Sequence, residues 1–224
     1  MIERRLILLT IFTTICSAQR IEVGAKVGTP LTEAFETGSE FHIDFGEGAT
    51  SATRRYTIGP TIEVQLPRRF SLEFDALYKP LGFDQLVKSG GLLLIHTRTT
   101  ADSWEFPVLA KFRFRRPPLM SPYVDGGVSF RHIGRVSSVT EKAVGSFANT
   151  FSRLTSNDSP TLANRSGRGG VVGIGIEIRL ACMHISPEVR YTRWGADRSL
   201  DPQLHSNQNQ ADFLLGISFG AQND

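Results

Sequence analysis

The chain has 224 residues, with 25 Lys and Arg against 22 Asp and Glu, and a formal charge of +3 excludes the dense basic footprint of a nucleic-acid binder. Its two cysteines, Cys16 and Cys182, leave one in a chain shorn of residues 1–18, which excludes an internally disulfide-stapled scaffold. Beyond those residues no stretch approaches the roughly 18 consecutive apolar residues of a spanning helix, so any passage through a membrane has to be made by strands.

Residues 1–18 carry Arg4 and Arg5, then the apolar run Leu6 to Ile15, then Cys16, Ser17 and Ala18. This is the layout of a signal peptide cut after Ala18, leaving a mature domain over 19–224. Ile15 before Cys16 is too large for a lipidated cysteine, so the expectation is export without a lipid anchor.

Eight period-two runs follow. The first spans about Arg20 to Gly28, with Ile21, Val23, Ala25 and Val27 on one face and Glu22 and Lys26 on the other. After a polar, Gly-rich stretch, YTIGPTIEVQL from Tyr56 sets Ile58, Ile62 and Val64 against Thr61, Glu63 and Gln65. Pro67, Arg68 and Arg69 reverse the chain into FSLEFDALYK, where Phe70, Leu72, Phe74, Ala76 and Tyr78 oppose Ser71, Glu73, Asp75 and Lys79. A long connection from about Pro80 to Asp102 precedes SWEFPVLAKFRF, which sets Trp104, Phe106, Val108, Ala110, Phe112 and Phe114 against Glu105, Lys111 and Arg113. A turn around Pro117 and Pro118 leads to PYVDGGVSFRHI, with Asp125, Ser129 and Arg131 opposite Val124, Val128 and Phe130. The longest interruption runs from about Gly134 to Arg168. GVVGIGIEIRL then sets Val172, Ile174, Ile176 and Ile178 against Glu177 and Arg179, and a tight turn near Cys182 gives HISPEVRYTRW, with Val189 and Tyr191 opposite Glu188 and Arg190. A polar loop leads to ADFLLGISFG, where Phe213, Leu215, Ile217 and Phe219 share a face opposite Asp212.

Connections that alternate long and short fit an all-β fold: an eight-stranded antiparallel up-and-down transmembrane β-barrel, with long extracellular loops and short periplasmic turns. Aromatic residues gather where strands end. Tyr56, Tyr78, Trp104, Phe106, Phe130, Tyr191, Trp194 and Phe213 mark one girdle, and Phe70, Phe112, Phe114, Tyr123 and Phe219 the other. The inward face carries Glu22, Glu63, Glu73, Asp75, Glu105, Asp125, Glu177, Glu188 and Asp212 with Lys26, Lys79, Lys111, Arg113, Arg131, Arg179 and Arg190. Unpaired charges in a closed lumen cost several kcal/mol each, so these residues are predicted to form a cross-strand ion-pair network that plugs the barrel. Pro60, Pro107 and Pro187 fall inside the strands, and each predicts a bulge, a strand margin or a shifted register.

The segments YTIGPTIEVQLP, FSLEFDALYKPLGF, SWEFPVLAKFRF, PYVDGGVSFRHIG and SPEVRYTRW make the chain resemble the eight-stranded outer-membrane β-barrel family, the porin-like barrel domain of the OmpA/OmpX-like proteins. The family typically ends on an aromatic residue read by the barrel-assembly machinery; here Gly220 to Asp224 follow Phe219, a departure. No peptidoglycan-binding domain is expected beside the barrel. The resemblance implies a bacterial cell outer-membrane location, contact with outer-membrane lipids and lipopolysaccharide, assembly by that machinery, a monomer and no cofactor.

Function is expected to be structural or interactive, a rigid wall displaying loops to an unidentified partner. A lipid A deacylase-like enzyme is the alternative, with His205, Ser206 and Asn207 as its only candidates. A soluble lipocalin-like carrier is a second, and it needs the opposite register, grease within and charge without. His42, His96, His132 and His184 lack metal-ligand spacing, and GRGGVVGIGIE lies within a strand rather than opening a helix, which argues against a nucleotide loop.

Overall fold

Runs that alternate apolar with polar extend and pair, and the computed structural model is one twelve-stranded antiparallel sheet that closes on itself. It describes residues 20–33, 38–41, 45–51, 55–89, 93–114, 119–144, 150–156, 166–180, 183–195 and 207–220. The proposed signal peptide, Cys182, His42, His205 and Ser206 lie outside these residues. In chain order the strands are β1 (Arg20–Pro30), β2 (Gly38–Phe41), β3 (Phe45–Ser51), β4 (Thr57–Gln65), β5 (Phe70–Asp75), β6 (Leu77–Ser89), β7 (Leu93–Arg113), β8 (Met120–Val144), β9 (Thr150–Ser156), β10 (Ser166–Leu180), β11 (Met183–Trp194) and β12 (Asn209–Gly220).

Eight staves form the ring. β1 pairs with β4, β4 with β5 and the start of β6, these two with β7, and β7 with β8. β8 then pairs with β10, β10 with β11, β11 with β12, and β12 with β1, so no stave of the ring has a free edge. Each of the eight predicted runs lies on one stave.

Burial along the staves alternates with period two. In β10, Val172, Ile174 and Ile176 are 58%, 62% and 40% exposed, while Glu177 on the other face is 3% exposed. In β5, Phe74 is exposed while Glu73 and Asp75 are buried. Charge inside and grease outside is the inverse of the register a soluble carrier needs.

The three strand prolines leave the register intact, against the sequence expectation. Ala76 separates β5 from β6; by register it faces Pro60 of β4, and on the other side the unpaired positions Asp75 and Ala76 face Pro107 and Phe106 of β7. The β4 ladder is in step on both sides of that break, at Thr61↔Asp75 and Ile58↔Tyr78, and so is the β7 ladder, at Val108↔Phe74 and Glu105↔Leu77. Proline has no amide to donate, so a neighbouring strand loses a rung there without having to shift. Pro187 repeats the pattern: β10 and β11 stop pairing at Gly175↔Glu188 and resume in the same register at Ile178↔Ile185. Each proline keeps its place in a second ladder, opposite Ala25, Ser129 and Leu215 respectively. The register shift that does occur, between Ala101 and Ser103 of β7, is not at a proline.

Two predicted long connections are largely strand. β6 and β7 continue their ladder to Ser89↔Leu93, and β8 runs to Val144, where β9 pairs back along it. β3 adds to the other edge of this extension by pairing with β6, and β2 pairs with β3. The alternation that reveals a strand exists only where one face is apolar and the other charged. QLVKS and RTTADS are mixed on both faces, so their sequence gives no such signal. On the inward side of the extension Leu81, Phe83, Ala101, Ile133 and Val136 pack into an apolar cluster. At the opposite end the turn over Pro67–Arg69 reverses the chain with Arg68 and Arg69 at φ 64° and 75°, a left-handed pair that closes the hairpin tightly.

Candidate functional site: the charged lumen

Period two aims one side chain in two at the barrel axis, and every stave contributes a charged or hydrogen-bonding group there. Glu22, Lys26, Glu63, Glu73, Asp75, Lys79, Glu105, Lys111, Arg113, Asp125, Arg131, Glu177, Glu188, Arg190 and Asp212 are all buried inward, and Arg179 is half-buried.

The centre is built around Glu73. Its carboxylate accepts from Lys26 and Lys111 in short contacts and from Arg190 at 3.0 Å. Lys26 also donates to Glu188 at 2.9 Å, and Arg190 to Glu188 at 2.6 Å and to Asp75 at 2.9 Å. Thr61 completes the shell of Asp75 at 2.6 Å. Lys111 donates to Glu63 at 2.8 Å, and Arg113 links Glu63 to Glu177, donating to the latter at 2.7 Å and to Ser71 at 3.0 Å. Arg179 completes this branch on Glu177 at 2.8 Å.

Two smaller groups lie at the ends. Toward the tight turns, Glu22 meets the His184 ring at 2.8 Å, accepts from Ser218 at 3.1 Å and takes a short bond from Gln65. Toward the extended strands, Lys79 donates to Asp212 at 3.0 Å and to Glu105 at 3.3 Å, and Arg131 to Glu105 at 2.8 Å. Buried ions are tolerated only when each is both paired and hydrogen-bonded, and the chains of contacts described here meet that condition for all but one of the inward acids.

That one is Asp125, which the sequence reading put in the ion-pair network. It is inward and 6% exposed, but neither of its oxygens has a hydrogen-bond partner among the described residues. Lys111 stands opposite it in the ladder but turns the other way, to Glu73 on the adjacent stave β5 and Glu63 on β4. Acids outnumber Lys and Arg on the inward face nine to seven, and Asp125 is one of the acids in excess.

The aromatic rows need one further correction. Tyr56, Trp104, Phe106, Phe114, Tyr191 and Phe219 are exposed on the outer face, with Tyr78 and Phe112 partly so. Tyr78 packs against Tyr56 and Trp104, and Phe112 against Phe70 and Phe114. Trp194 is instead 4% exposed inside the barrel, where its Nε1 donates to Gln210 at 3.1 Å and its ring lies 3.9 Å beneath the Arg131 guanidinium. Tyr123 is likewise inside, fully buried under Lys111. Both share the parity of their charged neighbours Arg190 and Asp125. The alternation places them inward, and treating every strand-end aromatic as outward overrode it. Trp194→Phe is expected to lower stability by about 1–2 kcal/mol through loss of one buried hydrogen bond and a weaker cation–π contact. Equilibrium urea unfolding checks this, and a change below a few tenths of a kcal/mol would remove Trp194 from the network.

Gln65, Ser71, Thr61, His184, Gln210 and Ser218 are the lumen partners that a search for charges passes over; their inward parity was the available signal. Of the candidates for enzymatic chemistry, Asn207 is described and its Oδ1 accepts the Asn209 amide at 2.9 Å; His205 and Ser206 lie outside the described residues. Among the described residues His, Cys, Asp and Glu form no group suited to a metal ion.

A model of the outer membrane protein beta-barrel domain family matches residues 16–195. No curated protein matches the chain. Among solved structures the chain is similar to the outer membrane protein OprG from Pseudomonas aeruginosa, at 13% identity over 92% of this chain and 96% of that one, with a TM-score of 0.47. It is similar to the N-terminal β-barrel domain of OprF from Pseudomonas aeruginosa at 11% identity over 90% and 97%, with a TM-score of 0.39. Neisserial surface protein A is similar at 10% identity over 90% and 96%, with a TM-score of 0.39.

Proposed function

The chain belongs to the outer membrane protein β-barrel domain family, and from that premise we propose that it is a solute-tight barrel of the bacterial outer membrane that carries a sheet platform on its extracellular side. Family membership fixes the location and the barrel; the closed lumen and the platform are the proposal. The observation that carries it is the contrast between the two ends of the ring. The wall is filled across its width by the Glu73-centred ion pairs, whereas β6, β7 and β8 continue past the outer aromatic row and collect β3 and β9 on their edges. An eight-stranded ring is just wide enough for its own side chains, so a lumen crossed by that many paired groups leaves no path for a solute. A platform on a rigid scaffold is where recognition residues are placed in such architectures.

The lumen and the platform have separate readouts. In planar bilayers the purified barrel is expected to give no ion-conductance steps; regular steps at neutral pH would overturn the closed lumen. On intact cells, an epitope tag inserted at Asn157 is expected to be open to antibody and protease. Protection of that tag until the outer membrane is breached would overturn the outward platform.

A further inference from the structure

The outer wall carries a depression that the display role does not use. It opens at the level where β6 leaves β4, has a volume of about 480 Å³, and is lined by Tyr56, Tyr78, Arg98, Thr100, Asp102 and Arg135. Its shape follows from the ladder. Counting away from the ring, the outward pairs between β6 and β7 are Tyr78↔Trp104, Pro80↔Asp102, Gly82↔Thr100 and Asp84↔Arg98. An aromatic row therefore stands below, a charged row above, and between them a floor of small residues, Thr100 with Ser137 opposite it on β8. Two hydroxyl residues leave the space that the rows on either side enclose.

We propose that this cup seats the headgroup of a phosphorylated glycolipid of the outer leaflet, with the phosphate at Arg135 and Arg98, sugar hydroxyls at Asp102 and Thr100, and the sugar ring against Tyr56 and Tyr78. Three observations support it. The first is height: Trp104 and Phe106 stack just below the cup, and Ile58, Val128 and Phe130 continue as exposed apolar wall, so an acyl chain hanging from the cup runs down a greasy surface. The second is charge. Arg98 is held by a bidentate pair with Asp84 at 2.9 and 3.0 Å, whereas Arg135 is exposed and has no ion-pair partner among the described residues. Guanidinium groups recognise phosphate by forked hydrogen bonds, and here one fork is unspent and the other is pre-oriented.

The third is Asp102, whose Oδ1 accepts from the Tyr78 hydroxyl at 2.7 Å. A carboxylate at the cup repels a bare phosphate or a simple anionic phospholipid. It favours a headgroup that also presents hydroxyl donors, and a sugar phosphate supplies both. The inference goes beyond the display role and rests on the membrane location, not on the closed lumen.

The test uses the full mature chain folded in a zwitterionic detergent and probed by native mass spectrometry. Probes are bisphosphorylated lipid A, the same lipid with its phosphates removed, phosphatidylglycerol and inorganic phosphate. One lipid A is expected to bind at least ~10-fold more tightly than the dephosphorylated lipid or phosphatidylglycerol. Arg135→Ala is expected to weaken it by ~10-fold, and Thr100→Trp, which fills the cup from the outer face, to abolish it. Both variants place their changes outside the lumen and should keep the folded, heat-modifiable gel mobility. Wild-type affinity in both would overturn the proposal. Equal binding of phosphatidylglycerol would also overturn it by reducing the cup to a general anionic-lipid surface, and displacement by inorganic phosphate at matched concentration by reducing it to a plain anion site.

Discussion

Glu73→Leu is expected to destabilise the barrel by about 3–5 kcal/mol, because it strips one buried carboxylate from three buried cations at once. Lys26, Lys111 and Arg190 converge on Glu73, and all four side chains are 3% exposed or less. Lys26 retains Glu188, Lys111 retains Glu63 and Arg190 retains Asp75, so the lumen is left with an excess of positive charge rather than with any one orphan. Urea unfolding in phospholipid vesicles, followed by emission of the exposed Trp104, measures the loss. Adding Lys111→Met should recover part of it, since exchanging a buried pair for apolar groups costs far less than breaking it. A Glu73→Leu barrel as stable as the parent would mean that the contacts around Glu73 do not hold the wall together.

Gly175→Leu is expected to prevent assembly, at a cost of about 3 kcal/mol or more from overpacking. A Cβ on Gly175 would lie 2.5 Å from the Tyr123 ring and hydroxyl and 2.7 Å from the Pro187 carbonyl oxygen. The tyrosine could swing aside only by leaving its place under Lys111, and the carbonyl belongs to the backbone of β11, which could retreat only by opening the ladder to β10. Gly170 on the same strand provides the control, with nothing within 4 Å of an added Cβ, so Gly170→Ala should fold normally. The readout is the shift between folded and boiled mobility on a gel. A Gly175→Leu protein that keeps the folded band would show that Tyr123 does not need the space this glycine leaves.

Both outcomes bear on how much of the barrel could be read without coordinates. The parity of FSLEFDALYK and GVVGIGIEIRL is enough to put Glu73 and Glu177 inside and Phe74 and Ile174 outside, because a strand's side chains alternate whatever its neighbours are. The same rule, applied without exception for aromatics, also places Trp194 and Tyr123 in the lumen. It fails for the continuation of β6, β7 and β8, since strands flanked by water or by each other on both faces show no contrast to count. The cup inherits that blind spot: Asp102 and Arg135 lie in stretches whose composition reads as loop, and only the ladder sets them beside Tyr78.

The amino-acid order by itself determined the number of staves, their inward and outward faces and the class of protein, because these depend on a local two-residue period. The tertiary structure decided which charges meet. Lys26 finds Glu73 and Glu188 at separations of 47 and 162 residues, Lys111 leaves Asp125 for partners on the staves to its other side, and His184 settles on Glu22. Those choices follow from ring closure, which sets which staves face one another and at what height, and that geometry is a property of the closed sheet that no single strand contains.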